Sequence, residues 1–110
     1  MAEMKDRLRI VPGFRPDEYE RYTDLLFGRL ERRLKRWDPE QVELELSVKE
    51  RDTPSQRTVL ECWITGVPRI VGTSTEAELD KAVLEVRDDV HRQINRHVTR
   101  REAERKAGGR

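Results

Sequence analysis

Leu8 and Ile10 alternate with polar neighbours and run into Pro12 and Gly13, a pattern that predicts a short strand ending in a turn. Pro16 suits the first position of a helix, with Asp17 and Glu18 behind it to complement the N-terminal dipole. Beyond it apolar positions recur at Tyr19, Thr23, Phe27, Leu30, Leu34 and Trp37, the stripe of an amphipathic helix. Asp38-Pro39 ends that helix, because a residue before proline is driven out of the helical region. At Val42 the period becomes two, with Val42, Leu44, Leu46 and Val48 on one face and Glu43, Glu45, Ser47 and Lys49 on the other.

A polar connection from Glu50 to Gln56 leads to a second alternating run, in which Thr58, Leu60, Cys62 and Ile64 face away from Val59, Glu61, Trp63 and Thr65. Gly66-Val67-Pro68 reads as a tight turn into a shorter third run around Ile70 and Val71. Thr75 with Glu78 fits a capping box, and Leu79, Val83, Val86, Val90, Ile94 and His97 trace one face of a second helix reaching about Arg105. The expected architecture is α+β in the order β-α-β-β-β-α, one sheet with both helices on one face, since every element has a single apolar side. Residues 1–105 are expected to form one domain and residues 106–110 a flexible tail.

With 110 residues, 35% hydrophobic and 41% charged, the chain has material for one thin core under a densely charged surface. No stretch approaches the ~20 apolar residues of a membrane span, and the opening MAEMKDRLRI has no secretory apolar core, so a cytoplasmic protein without membrane partners is expected. Cys62 has no second cysteine to pair with and sits in the apolar run VLECWIT, where a buried reduced thiol is expected.

The net charge of +1 conceals a strong pattern. Residues 29–36 sum to +4 and residues 38–50 to −4, while residues 74–89 sum to −4 and residues 90–110 to +5. At 100° per residue Arg29, Arg32, Arg33 and Arg36 flank the stripe of the first helix, and Arg92, Arg96 and Arg100 flank that of the second. Side by side, these basic halves would form one surface able to neutralise the phosphates of a nucleic acid read by its backbone. The competing explanation is local: acidic residues early and basic residues late in a helix complement its macrodipole. Glu43 and Glu45 fit either an ordinary polar outer face or an electrostatic filter against the wrong partner.

Catalytic chemistry is not expected. His91 and His97 lie six residues apart, on different faces of a helix, and so do not form a chelating pair. Asp88 and His91, one turn apart, fit a surface ion pair, and no glycine-rich phosphate loop exists. Neither a metal nor a cofactor is expected. Val59, Trp63 and Val71 fall on the outer sheet face, where Trp63 either stacks a base, anchors a protein or a second copy of the chain, or covers a sheet edge or the 50–56 connection.

The segments FGRLERRLKR, VELELSVKE and GTSTEAELDKAVLEVRDDVHRQINRH, in that order and spacing, resemble the ribosome hibernation-promoting factors, also called ribosome-associated inhibitors or protein Y. The resemblance spans about Leu8 to Arg101. It implies a fold similar to a double-stranded-RNA-binding domain and a stress-time inhibitor that binds ribosomal RNA, not DNA. Basic residues on the two helices would occlude the messenger and transfer RNA sites of the small ribosomal subunit. By position, Arg29 matches a basic group of the family's first helix, and Arg92, Arg96 and Arg100 match the basic half of its second. Leu26 and Asp89 stand where the family usually has lysine, and Asp80 replaces the usual tyrosine ahead of Lys81-Ala82-Val83. Longer members add a dimerising domain, so this chain is expected to act like the short form, as a divergent member.

Overall fold

The computed structural model describes residues 3–11 and 13–108, with side chains described as far as Arg100. Pro12, half of the first predicted turn, lies outside the described residues. Short 3-10 turns at Met4–Arg7, Pro16–Glu18 and Pro39–Gln41 precede β1 (Leu8–Ile10), α1 (Tyr19–Leu34) and β2 (Val42–Lys49); β3 (Arg57–Ile64), β4 (Val67–Ser74) and α2 (Leu79–Gly108) follow. The sheet is mixed, in the order β1-β2-β3-β4, with β1 parallel to β2 and the other pairs antiparallel. This is the predicted α+β order.

Period-two alternation buries Val42, Leu44, Leu46 and Val48 of β2 and Leu60, Cys62 and Ile64 of β3, and these join one core with Leu26, Leu30 and Leu34 of α1 and Val83, Val86, Val90 and Ile94 of α2. Both helices therefore cover the same face, and each fully buried Leu or Val adds about 1.5–3 kcal/mol of transfer free energy. Cys62 is a core residue as expected, and burial pushes its thiol up to about 12.

The phase of α1 differs from the expected stripe. Tyr22, Leu26, Phe27, Leu30 and Leu34 are buried, whereas Tyr19 is 38% exposed and Thr23 only half-buried. The four-residue spacing from Tyr22 to Leu34 aligns larger apolar groups than a line through Thr23 does, and Tyr22 adds an edge-on ring contact with Phe14 at 5.5 Å. The helix ends at Leu34, where a Trp37 N–H bond to the Leu34 carbonyl tightens the chain before Pro39.

β4 is a full strand of eight residues. Pro68 is tolerated within it because β4 is an edge strand with no neighbour on its outer side. Gly72 is where α2 comes closest to the sheet: a Cβ there would stand 2.7 Å from the Val86 carbonyl oxygen. The predicted Thr75 cap does not form, because α2 begins at Leu79. Instead the buried Ser74 hydroxyl accepts the Glu76 N–H at 3.1 Å, and the buried Gln56 amide donates to the Glu76 and Ala77 carbonyls. At its other end α2 continues through Gly108, past the predicted stop at Arg105, while residues 109–110 of the expected tail lie outside the described residues.

The β2–β3 connection turns through positive φ at Glu50 and Asp52 and is pinned by Arg51, which donates to both Glu18 carboxylate oxygens at 2.8 Å and to the Gly13 carbonyl. The Arg51 bonds, with a lesser contribution from the Arg15 N–H, hold the Glu18 carboxyl down at about 2, below its usual 4.5. A carboxyl depressed in the folded state stabilises the fold fully above its unfolded value and loses that contribution as pH falls through about 4.5 toward 2. Urea unfolding at pH 7 and pH 3 is expected to show a smaller acid loss for Glu18→Gln than for the native chain; equal losses would contradict the assignment.

Candidate nucleic-acid interface

Successive contacts fix how the two helices align. The Tyr22 hydroxyl donates to Asp80 at 2.8 Å and Arg21 pairs with the same carboxylate, Arg87 donates to the Leu25 carbonyl at 3.2 Å, and Arg29 pairs with Asp88 at 3.7 Å. Residue numbers rise together, so α1 and α2 run parallel and their basic C-terminal halves share one end of the molecule. Antiparallel packing would have set each basic half beside an acidic one.

The sequence-derived arginines fall into two groups on opposite flanks of α2. Arg29 and Arg33 border the groove between the helices, and their charge is felt by His91, whose ring is lowered below its ordinary value first by burial and then by these two arginines. Asn95 Nδ2 lies 3.3 Å from His91 Nδ1, a contact in which the neutral ring accepts. Arg32 is exposed on the same helix, whereas Arg36, expected on its stripe, is exposed in the turn that follows, because α1 ends at Leu34. On the far flank, Gln93 donates to the Val71 carbonyl at 2.8 Å, and Arg96 and Arg100 border the Val67–Ile70 stretch of β4. α2 stands between the two groups, so the arginines do not merge into a single stripe.

Several of these charges are already engaged. Arg92 is held by Asp89 at 2.7 Å and Arg29 by Asp88, whereas Arg32, Arg33, Arg96 and Arg100 make no ion pair with another described residue. Asp89 accepts from Gln93 as well, at 3.2 Å, so it both orients the β4 side of α2 and cancels one cation. Releasing Arg92 by Asp89→Asn is expected to strengthen RNA binding about three- to tenfold at low salt, measured by fluorescence anisotropy with duplex RNA. Unchanged or weaker binding would remove Arg92 from the surface.

Leu26 requires a correction. The resemblance sets it on the ligand-facing side and the expected stripe leaves it at the border, but it is 0% exposed in the centre of the core. It contributes to packing and nothing to any surface.

On the outer sheet face Val59, Trp63 and Val71 are half-buried, with charged neighbours between them. Trp63 stands opposite Glu43 and beside Arg7 and Arg9, at the end of β3 away from the 50–56 connection. Glu43 and Glu45 pair with Arg7 at 3.6 Å and Arg9 at 3.1 Å, and Glu61 with Arg69 at 3.0 Å. The acidic face of β2 is thereby neutralised across the strands, which favours an ordinary polar face over an electrostatic filter.

Among the described residues, no group of three or more His, Cys, Asp or Glu is placed to hold a metal ion, and no helix is long and apolar enough to cross a membrane. Sequence reasoning missed Arg69, Gln93 and His97, which gather beside Arg96 and Arg100. Of these, His97 alone left a signal, as a polar residue on the apolar face of α2. No known family model matches the chain, and no curated protein matches its sequence.

Proposed function

We propose that the protein is a ribosome-binding translation inhibitor of the hibernation-factor type, which occludes the messenger and transfer RNA sites of the small ribosomal subunit without catalysis. The observation that carries this reading is the parallel packing of α1 and α2, which collects Arg29, Arg32, Arg33, Arg36, Arg92, Arg96 and Arg100 at one end of the molecule. That end offers cations spread across two helices, suited to the irregular phosphate surface of folded RNA and to its wide, shallow grooves. The resemblance in the two helices supplies the ribosomal partner.

Transfer RNA binding to isolated small subunits tests this reading. Added at one copy per subunit, the protein is expected to displace most of the transfer RNA. Undiminished transfer RNA binding on subunits that hold the protein would overturn occlusion, and equal affinity for free duplex RNA would make the chain a general structured-RNA binder. A second reading rests on Val59, Trp63 and Val71, which no helix covers: the sheet face binds a protein or a second copy of the chain. Such a contact is insensitive to salt, whereas a phosphate contact weakens steeply.

A further inference from the structure

Between the β4 edge and the far flank of α2 lies an open cleft of about 180 Å³, lined by Arg69, Ile70, Gln93, Arg96, His97 and Arg100 with Val67 and Pro68 at its rim. Among the described residues its lining carries three arginines and no carboxylate. Glu61 pairs with Arg69, and Asp89 is engaged by Arg92 and Gln93, while Arg96 and Arg100 make no ion pair with another described residue. The Nε2 atom of His97 is buried without a hydrogen-bond partner. A buried polar nitrogen left unpaired is destabilising, so a ligand oxygen that reaches it gains more than it does on open surface. The walls come from two different elements: Gln93 bonds to the Val71 carbonyl and ties α2 to β4, so the opening is held by the fold.

We infer that this cleft is a phosphodiester-binding site, in which Arg96 and Arg100 neutralise an RNA phosphate, Arg69 supports it from the strand, and His97 Nε2–H donates to one of its oxygens. The inference rests on the RNA-binding reading and deepens it. RNA crossing the helical end would be gripped at two places, the inter-helix face near Arg33 and the strand edge at His97, with α2 between them. The site selects a phosphate by its tetrahedral oxygens and negative charge, not by base identity, because its donors are guanidinium and imidazole N–H groups.

The test follows the His97 ring by nuclear magnetic resonance while the purified protein is titrated separately with a short duplex RNA and with inorganic phosphate, beside an Arg96→Gln/Arg100→Gln variant. The expected result is that RNA moves the His97 signals in step with binding. The variant is expected to lose that movement, bind RNA at least about tenfold more weakly, and show a salt slope reduced by about two units. Movement with inorganic phosphate but none with RNA would make the cleft a small-anion pocket and overturn the inference, as would unmoved His97 signals with both. Neither probe contains a ribosome, so failure to bind small subunits beside a positive RNA result would count against the ribosomal reading alone.

Discussion

Leu26→Lys is expected to unfold the protein. The resemblance sets a lysine here, and on that ground alone the substitution would restore a missing RNA contact. In the structure Leu26 is 0% exposed, between Tyr22 and Leu30 on the buried line of α1. The substitution removes about 1.5–3 kcal/mol of apolar transfer energy and adds the cost of an unpaired ammonium in the core, or of deprotonating it, which amounts to several kcal/mol more. Small domains hold only about 5–15 kcal/mol in total. Circular dichroism is expected to show no cooperative melting for Leu26→Lys, while the volume-conserving Leu26→Met melts within a few degrees of the native chain. A Leu26→Lys protein that melts normally and binds RNA more tightly would put residue 26 on the surface and refute the observed phase of α1.

The second large effect concerns binding. Arg32, Arg96 and Arg100 are exposed and form no ion pair with a described residue, so replacing all three with Glu removes no internal contact of that kind. Arg29 and Arg92 are poorer choices, since each holds an aspartate whose release would alter the local charge by itself. A charge-assisted contact to phosphate is worth about 1.5 kcal/mol, roughly tenfold, so loss of three lowers RNA affinity on the order of a thousandfold. Thermal melting of the triple variant should match that of the native chain. Anisotropy with duplex RNA reads the affinity, and a loss of less than about tenfold would show that the arginines face solvent only.

What the sequence revealed followed from how local each signal is. β2 and β3 were legible because Val42–Val48 and Thr58–Ile64 alternate without interruption, and one buried face fixes the register of an antiparallel pair. β4 read as a fragment because Pro68 and Gly72 are poor strand residues, and only the edge position and the approach of Val86 explain them. The phase of α1 was misread at its first turns, where the expected line through Tyr19 and Thr23 gives way to Tyr22 and Leu26, and Tyr22 packs against Phe14. Segment charges showed that each helix ends basic, but the parallel alignment that joins those ends depends on Asp80 and Asp88 meeting Tyr22 and Arg29 across nearly sixty residues. The cleft was invisible for the same reason: Arg69 and His97 become neighbours only when α2 folds back along β4.

Co-sedimentation of the native chain and the Arg32→Glu/Arg96→Glu/Arg100→Glu variant with separated ribosomal subunits, across a salt series, tests the central claim most directly. The predicted result is one copy per small subunit at low salt, steep loss as salt rises, little association with the large subunit, and no association of the variant. Binding that ignores salt and survives the three substitutions, or no binding at any salt, would contradict an RNA contact through the basic ends of α1 and α2.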